Sequence, residues 1–360
     1  MTMFWQAHFL TVYPPSNPNR DDMGRPKTAF FGEAARLRIS SQAIKRAVRT
    51  SDQFRDALSG NLGARTQRIG ERLVKSLVEE GVDRPAAEAS VKPLLPIFGK
   101  PKSEGLHTEQ LAFISPDEEA AALTIARQAL EGRLSEDDKK KLASMLLRPA
   151  DGAADIAMFG RMLAGQPRYN REAAVQVGHA ITTHRAEVED DYYTAVDDLK
   201  TRDEDAGAGF LDEAGFGSGV YYLYACVNCD LLVDNLGGDK AIAKAAIAAL
   251  AEGLATATPS GKQNSFAHHP RAMFIRAETG AQQPRDLSAA FFKPVRAGGE
   301  RGTDLMAASI DALEAMAAKI DKAYGPACDG DPVLMNVTAG EGSLADVKAS
   351  AEVAVERVGD

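Results

Sequence analysis

The chain has 360 residues, 44% of them hydrophobic, and a formal charge of -9. That length and apolar content allow a sizeable core in two or three folding units, and the acidic balance excludes the uniformly basic surface of a protein that condenses nucleic acid in bulk. No basic leader precedes an apolar run, Lys244 and Glu252 interrupt the Ala-rich stretch 241–257, and Cys226, Cys229 and Cys328 are too few for a disulfide framework; the expectation is a reduced, cytoplasmic protein with no membrane partner.

Phe4 to Val12 is apolar, aromatic and β-branched and runs into Pro14-Pro15, which predicts a buried first strand followed by an irregular loop. From Arg20 to Arg49 the chain turns basic: Arg20, Arg25, Lys27, Arg36, Arg38, Lys45, Arg46 and Arg49 are offset only by Asp21, Asp22 and Glu33. The stretch ends in a predicted helix, with Ser40 and Ser41 as N-cap residues and Ile44 and Val48 one turn apart. Gln42, Lys45, Arg46 and Arg49 share another face of it. Unpaired amides at a helix start attract phosphate, and cations behind them can follow a chain of phosphates, so this is a candidate anion site.

From Asp52 to about Arg148 the spacing becomes helical, broken at Gly60, Gly81, Pro93, Pro96, Pro101 and Pro116. A strand is predicted over Ala174–Thr183, where Val175, Val177, His179 and Ile181 alternate, and another over Gly219–Leu231, where Val220, Tyr222, Tyr224 and Cys226 alternate. Between them, Glu187–Gly217 holds eleven acidic residues against Lys200 and Arg202, too long for a hairpin turn and therefore expected to project. A helix with Ile242, Ala246, Leu250 and Leu254 on one face follows, then a strand near Arg271–Ala277, a helix over Asp304–Tyr324 and an Ala/Val/Glu tail. With the two insertions removed the order is strand, helix, strand, strand, helix, strand. That predicts an α+β protein with a ferredoxin-like, RNA-recognition-motif (βαββαβ) core in which both helices lie behind a four-stranded antiparallel sheet. The expected division is 1–52 with 150–360 as the discontinuous core, 53–149 as a helical insertion and 187–217 as the projecting one.

A standard RNA-recognition motif carries basic and glycine residues around its stacking aromatics, whereas Gly219-Val220-Tyr221-Tyr222-Leu223-Tyr224 has no basic residue and no second glycine. The tyrosines are therefore read as core or interface, and binding as phosphate-directed and independent of base identity.

Five blocks carry a family resemblance: Pro14-Pro15-Ser16-Asn17-Pro18-Asn19-Arg20-Asp21-Asp22; Arg38-Ile39-Ser40-Ser41-Gln42-Ala43-Ile44-Lys45-Arg46-Ala47; His179-Ala180-Ile181-Thr182-Thr183-His184; Tyr193-Thr194-Ala195-Val196-Asp197-Asp198-Leu199; and Gly217-Ser218-Gly219-Val220-Tyr221-Tyr222. In order from Met1 to about Arg276 the chain resembles the backbone subunit of the type I-E CRISPR Cascade complex. The resemblance implies a hand-shaped subunit with a recognition-motif palm, helical fingers and a projecting thumb. Copies would stack head to tail along one CRISPR RNA, with other Cascade subunits as partners, and each thumb would kink the RNA so that it pairs with target DNA. Carried over by position, the palm contacts are Arg20, Ser40, Gln42, Lys45, Arg46 and Arg49. Tyr193, Thr194 and Val196 lie near the kink, Met162 packs against a base, and Lys262 and Asn264 are further contacts. The acidic thumb would repel phosphate, so its carboxylates are expected to meet basic residues of a neighbouring copy. Lys139-Lys140-Lys141 in the fingers is a further candidate for target DNA.

Catalysis is not expected. Gly261-Lys262 lacks the rest of a phosphate-binding P-loop, and no G-x-S-x-G or H-E-x-x-H pattern occurs. Cys226 and Cys229 lack a second metal-binding pair, and Asp190, Asp191, Asp197 and Asp198 read as a solvated or intersubunit surface, so neither metal nor cofactor is expected. The rival reading is a metal-independent endoribonuclease using His8, His179 or His184 as general acid and base. The sequence shows no convergent pair, and the alternation around His179 reads as a packed core or interface histidine.

Overall fold

The computed structural model describes residues 1–163, 165–195, 210–298 and 304–359. In chain order its strands are β1 (Phe4–Ser16), β2 (Thr28–Phe31), β3 (Ala34–Ile39), β4 (Ala64–Thr66), β5 (Ala112–Ile114), β6 (Val175–Val177), β7 (Ala180–Thr182), β8 (Glu189–Ala195), β9 (Phe210–Asn228), β10 (Ala272–Gly280) and β11 (Val333–Asn336). The helices that pack on them are α1 (Ser41–Thr50), α2 (Asp52–Ala57), α3 (Ile69–Glu79), α4 (Arg84–Val91), α5 (Leu95–Phe98), α6 (Pro116–Leu130), α7 (Glu136–Leu146), α8 (Ala154–Phe159), α9 (Cys229–Asn235), α10 (Lys240–Thr256), α11 (Gln263–Phe266), α12 (Leu305–Tyr324) and α13 (Leu344–Glu356).

The main sheet runs β11-β10-β1-β9-β7-β3-β2, with β6 and β8 also paired to β9, and its ladders are antiparallel. β1 lies inside the sheet because it is apolar on both faces. Trp5, Ala7 and Phe9 point into a core completed by Ile44 and Val48 of α1, Ile247 and Leu250 of α10, and Val347 and Val355 of α13. On the other face Leu10, Val220, Tyr222 and Phe274 are covered by Leu287, Phe291 and the α12 residues Met306, Ile310, Leu313 and Ala317. The segment after Gly280 thus supplies a layer over this second sheet face. Tyr222 is 2% exposed; its hydroxyl bonds to His8 Nδ1 at 2.9 Å and accepts from the Leu287 amide at 3.0 Å. These tyrosines belong to the core.

The predicted strand over Ala174–Thr183 is divided. Val177 faces Ala225 while Ile181 faces Tyr222, so one residue is extra on the shorter strand and a bulge falls at Gly178–His179. The bulge breaks the alternation and turns His179 outward, exposed and not part of the core. The predicted strand over Gly219–Leu231 ends early, because Asn228 Oδ1 accepts from the Leu231 amide and caps α9. At its other end β9 continues beyond the sheet and pairs with β8, from Glu189 opposite Phe216 to Ala195 opposite Phe210, forming a two-stranded ladder.

A second apolar cluster lies within the helical stretch and joins α3 (Leu73, Leu77), α4 (Val91), α6 (Ile125) and α7 (Leu146) to Leu163 and Tyr169. Phe54 and Leu58, at α2, pack instead in the first core. Arg161 and Glu118, both almost fully buried, pair at 2.5 Å, and Arg171 pairs with Asp151 at 2.7 Å. Glu118 is also the reciprocal capping-box residue of α6, so one carboxylate joins the helix start to the turn at Arg161.

Candidate nucleic-acid interface

Burial of Ile44 and Val48 fixes the rotation of α1, leaving Gln42, Lys45, Arg46 and Arg49 on its outer side. Gln42 and Arg46 are exposed, whereas Lys45 and Arg49 are partly buried, and that burial pushes the Lys45 ammonium below its usual pKa. Arg49 has a side chain only 20% exposed, with Nη1 3.8 Å from Asp155 Oδ2 and its guanidinium carbon 5.3 Å from the centre of the Phe113 ring.

The start of α1 is less open than its sequence suggests. Ser40 Oγ accepts from the Ala43 amide at 3.3 Å, and the Ser40 amide donates to Asn19 Oδ1 at 2.8 Å. His179 Nδ1 accepts from the Ser41 amide at 3.0 Å, which places the ring proton on Nε2. Desolvation, followed by the charges of Arg38 and Lys27, pushes the His179 pKa down. Two of the first amides are therefore held by the protein's own side chains, and attraction for an anion falls mainly to the basic side chains.

The Asn19–Ser40 bond seats the loop that carries exposed Arg20 against this helix start. Asn17 Nδ2, donating to the carbonyls of Gly24 and Gly215, ties the same loop to the base of the β8–β9 ladder. Gly261 packs so close to Pro18 that a Cβ there would lie 2.5 Å from the Pro18 carbonyl oxygen; this brings the Lys262 segment against the Arg20 loop. Lys262 itself has φ of 54. Asn264, on α11, is exposed. Arg46, Thr50 and Gln53 face Thr258, Ser260 and His269 across an open groove of about 490 Å³.

Not every basic residue of the stretch belongs to this surface. Arg36 is 0% exposed and donates to the carbonyls of Phe31, Thr182 and Phe291; it crosslinks the edge of the sheet. Arg25 donates to both oxygens of Asp190 at 2.8 and 3.0 Å. Asp190, read as solvated or intersubunit surface, is 45% exposed at its side chain; its carboxylate meets a cation of its own chain, in an exposed pair that contributes at most about 1 kcal/mol. Conversely, Arg55 and Arg65 lie near enough to Arg49 to act on its charge and extend the basic surface. Neither belongs to the basic run 20–49: Arg55 lies between Asp52 and Asp56 on α2, and Arg65 lies on β4.

Met162 is 80% exposed and sits on a separate, well-held turn. Arg161 and Arg171 exchange backbone bonds at 3.0 and 2.9 Å, and the Leu163 amide donates to Asn170 Oδ1 at 2.7 Å. Gly160 opens the turn at φ +77, where a Cβ would be 3.0 Å from the Arg171 carbonyl oxygen. Tyr193, 38% exposed, and Thr194 lie on β8 opposite Asp212 and Leu211; Val196 lies outside the described residues. Lys139 and Lys140 pair with Glu136 and Asp137 on their own helix.

The histidines do not converge. His8 is fully buried and lowered in pKa by desolvation, His179 caps α1, and His184 Nδ1 donates to the Arg185 carbonyl. Among the described residues no hydrogen bond joins any two of them, no group of three or more His, Cys, Asp or Glu could hold a metal ion, and no helix is long and apolar enough to cross a membrane.

The model of one protein family, described as CT1975-like protein, matches residues 5–358. The comparison with curated proteins gives no match. Among solved structures, a chain of "CRISPR RNA-guided surveillance complex, pre-nicking" is 28% identical with a TM-score of 0.82, and the alignment covers 98% of this chain and 100% of that one. A chain of a second "CRISPR RNA-guided surveillance complex" has the same fold at 24% identity, with a TM-score of 0.71 and coverage of 97% and 99%.

Proposed function

The chain belongs to the CT1975-like protein family, and on that premise we propose that it is a subunit of a CRISPR RNA-guided surveillance complex: the backbone subunit of a type I-E Cascade, which binds CRISPR RNA without cutting it. The observation that carries this reading is the basic outer side of α1, set by Ile44 and Val48 and joined to the Arg20 loop through Asn19. It occurs in a chain similar over its full length to a subunit of such a complex.

The strand order β10-β1-β9-β7, with α1 and α10 in the two crossovers, supports a ferredoxin-like palm spanning 1–52 and 150–360. The second apolar cluster, which begins at Ile69, supports helical fingers within the expected 53–149, Phe54 and Leu58 packing with the palm instead, and the β8–β9 ladder supports a thumb over 187–217. Because α12 covers the second sheet face, the RNA runs along the helix side. There Arg20, Ser40, Gln42, Lys45, Arg46, Arg49, Lys262 and Asn264 meet sugar and phosphate, so affinity is independent of base identity. Met162, Tyr193, Thr194 and Val196 pack against bases where the strand kinks. In the cytoplasm, copies assemble head to tail with other Cascade subunits, through heterologous contacts that do not close on themselves, and the RNA pairs with target DNA. No cofactor or metal is required.

Light scattering after size-exclusion chromatography tests this reading. The protein mixed with a guide-length RNA runs as an assembly whose mass rises with RNA length, and the RNA is recovered uncut; a monomer at every protein concentration, or a unique cleavage product from a repeat hairpin, contradicts it.

A further inference from the structure

Arg49 is an unusual member of the basic surface because it is charged, mostly withdrawn from solvent, and has donors to spare. Among the described residues no protein acceptor takes a hydrogen bond from its guanidinium; its contacts are the Phe113 ring from β5 and the carboxylate of Asp155 from α8. Asp155 is 1% exposed. The Gly63 amide donates to its Oδ1 at 2.7 Å, which holds the carboxylate so that Oδ2 lies 3.8 Å from Arg49. At that separation the attraction is electrostatic and consumes no N–H group. Arg46, Arg55 and Arg65 act on Arg49 with like charge, a repulsion that would drive a free arginine toward solvent. The buried carboxylate opposes that drift, and the ring beneath the guanidinium limits its tilt.

We propose that Asp155 is a positioning residue for Arg49: together with Phe113 it holds the guanidinium where α1 meets the helical region, with its N–H donors unspent and turned to a phosphate of the bound RNA. The inference rests on the RNA-binding reading of α1. Its physical content is preorganisation. Arginine loses much rotamer freedom when it docks a phosphate, and a side chain already held in place has lost that freedom before the RNA arrives.

Fluorescence anisotropy with single-stranded oligouridylate, read across a salt series on the full chain, tests it through a double-mutant cycle. Asp155→Asn keeps an acceptor for the Gly63 amide and removes the charge, so the variant folds; its melting temperature checks this. Arg49→Ala loses about tenfold in affinity, the size of one charged hydrogen bond, and its salt slope falls by about 0.7. Asp155→Asn loses most of the same tenfold, and the double variant binds no worse than Arg49→Ala alone. Phe113→Leu, which leaves both charges in place, weakens binding in the same direction and adds nothing in the Arg49→Ala background. A structural role alone would lower the melting temperature and leave the salt slope and the coupling unchanged. The proposal is overturned if Asp155→Asn binds as tightly as the parent, binds more tightly, or adds its loss to that of Arg49→Ala. If Arg49→Ala itself has no effect, the fault lies with the reading of α1 as an RNA track.

Discussion

Lys45→Glu combined with Arg46→Glu lowers the affinity for single-stranded RNA by roughly a thousandfold at about 0.1 M salt, because two charged contacts of about 2 kcal/mol each are lost and replaced by repulsion. The salt slope falls by about 1.4, at about 0.7 per phosphate contact on a single strand. Neither side chain belongs to the core that holds α1, which is made by Ile44 and Val48, so the melting temperature stays close to that of the parent. Lys319→Glu with Lys322→Glu is the matching control on α12, where both lysines are exposed. It changes the net charge by the same amount but changes affinity less than tenfold, the long-range part of the effect. Titrations by anisotropy in parallel salt series check both. Equal losses in the two pairs would mean that total charge, and no defined track, governs binding.

Glu118→Ala destabilises the protein by about 3–5 kcal/mol, the usual cost of stripping the partner from a buried charge. The Arg161 guanidinium, 1% exposed, loses its carboxylate and keeps only the carbonyls of Phe113, Arg148 and Tyr169. The α6 capping box goes with it, as does the acceptor for the Arg148 amide. Urea unfolding measures the loss. A change below about 1 kcal/mol, the range of an exposed pair, would mean that the Arg161–Glu118 contact does not hold the helical region to the turn that carries Met162.

Local pattern made part of this architecture legible in the sequence. Ile44 and Val48, one turn apart behind a serine cap, disclosed both the existence of α1 and the rotation of its basic side. The apolar run from Phe4 disclosed an inner strand, and Asp304 to Tyr324 disclosed α12. The seat of α12 was not legible, because a stripe such as Met306, Ile310, Leu313 and Ala317 says that a helix buries one side without saying against what. The fate of individual cations was hidden for the same reason. Arg36 reads as one more basic residue until the carbonyls of Thr182 and Phe291, far along the chain, close around it, and so does Arg25 until Asp190 reaches it. The outward position of His179 was hidden because alternation assumes an unbroken ladder, and one extra residue at Gly178–His179 reverses which way every following side chain points. Arg65, on β4, joins the basic surface only through the chain's return after α2.

Photo-crosslinking settles most directly where the RNA lies. RNA containing 4-thiouridine, bound to the intact protein and irradiated, is digested and the modified peptides are identified by mass spectrometry. The account predicts crosslinks concentrated in residues 38–50 and in the segment around Lys262, with the α12 peptides unmodified. Crosslinks on α12 with residues 38–50 unmodified would contradict it.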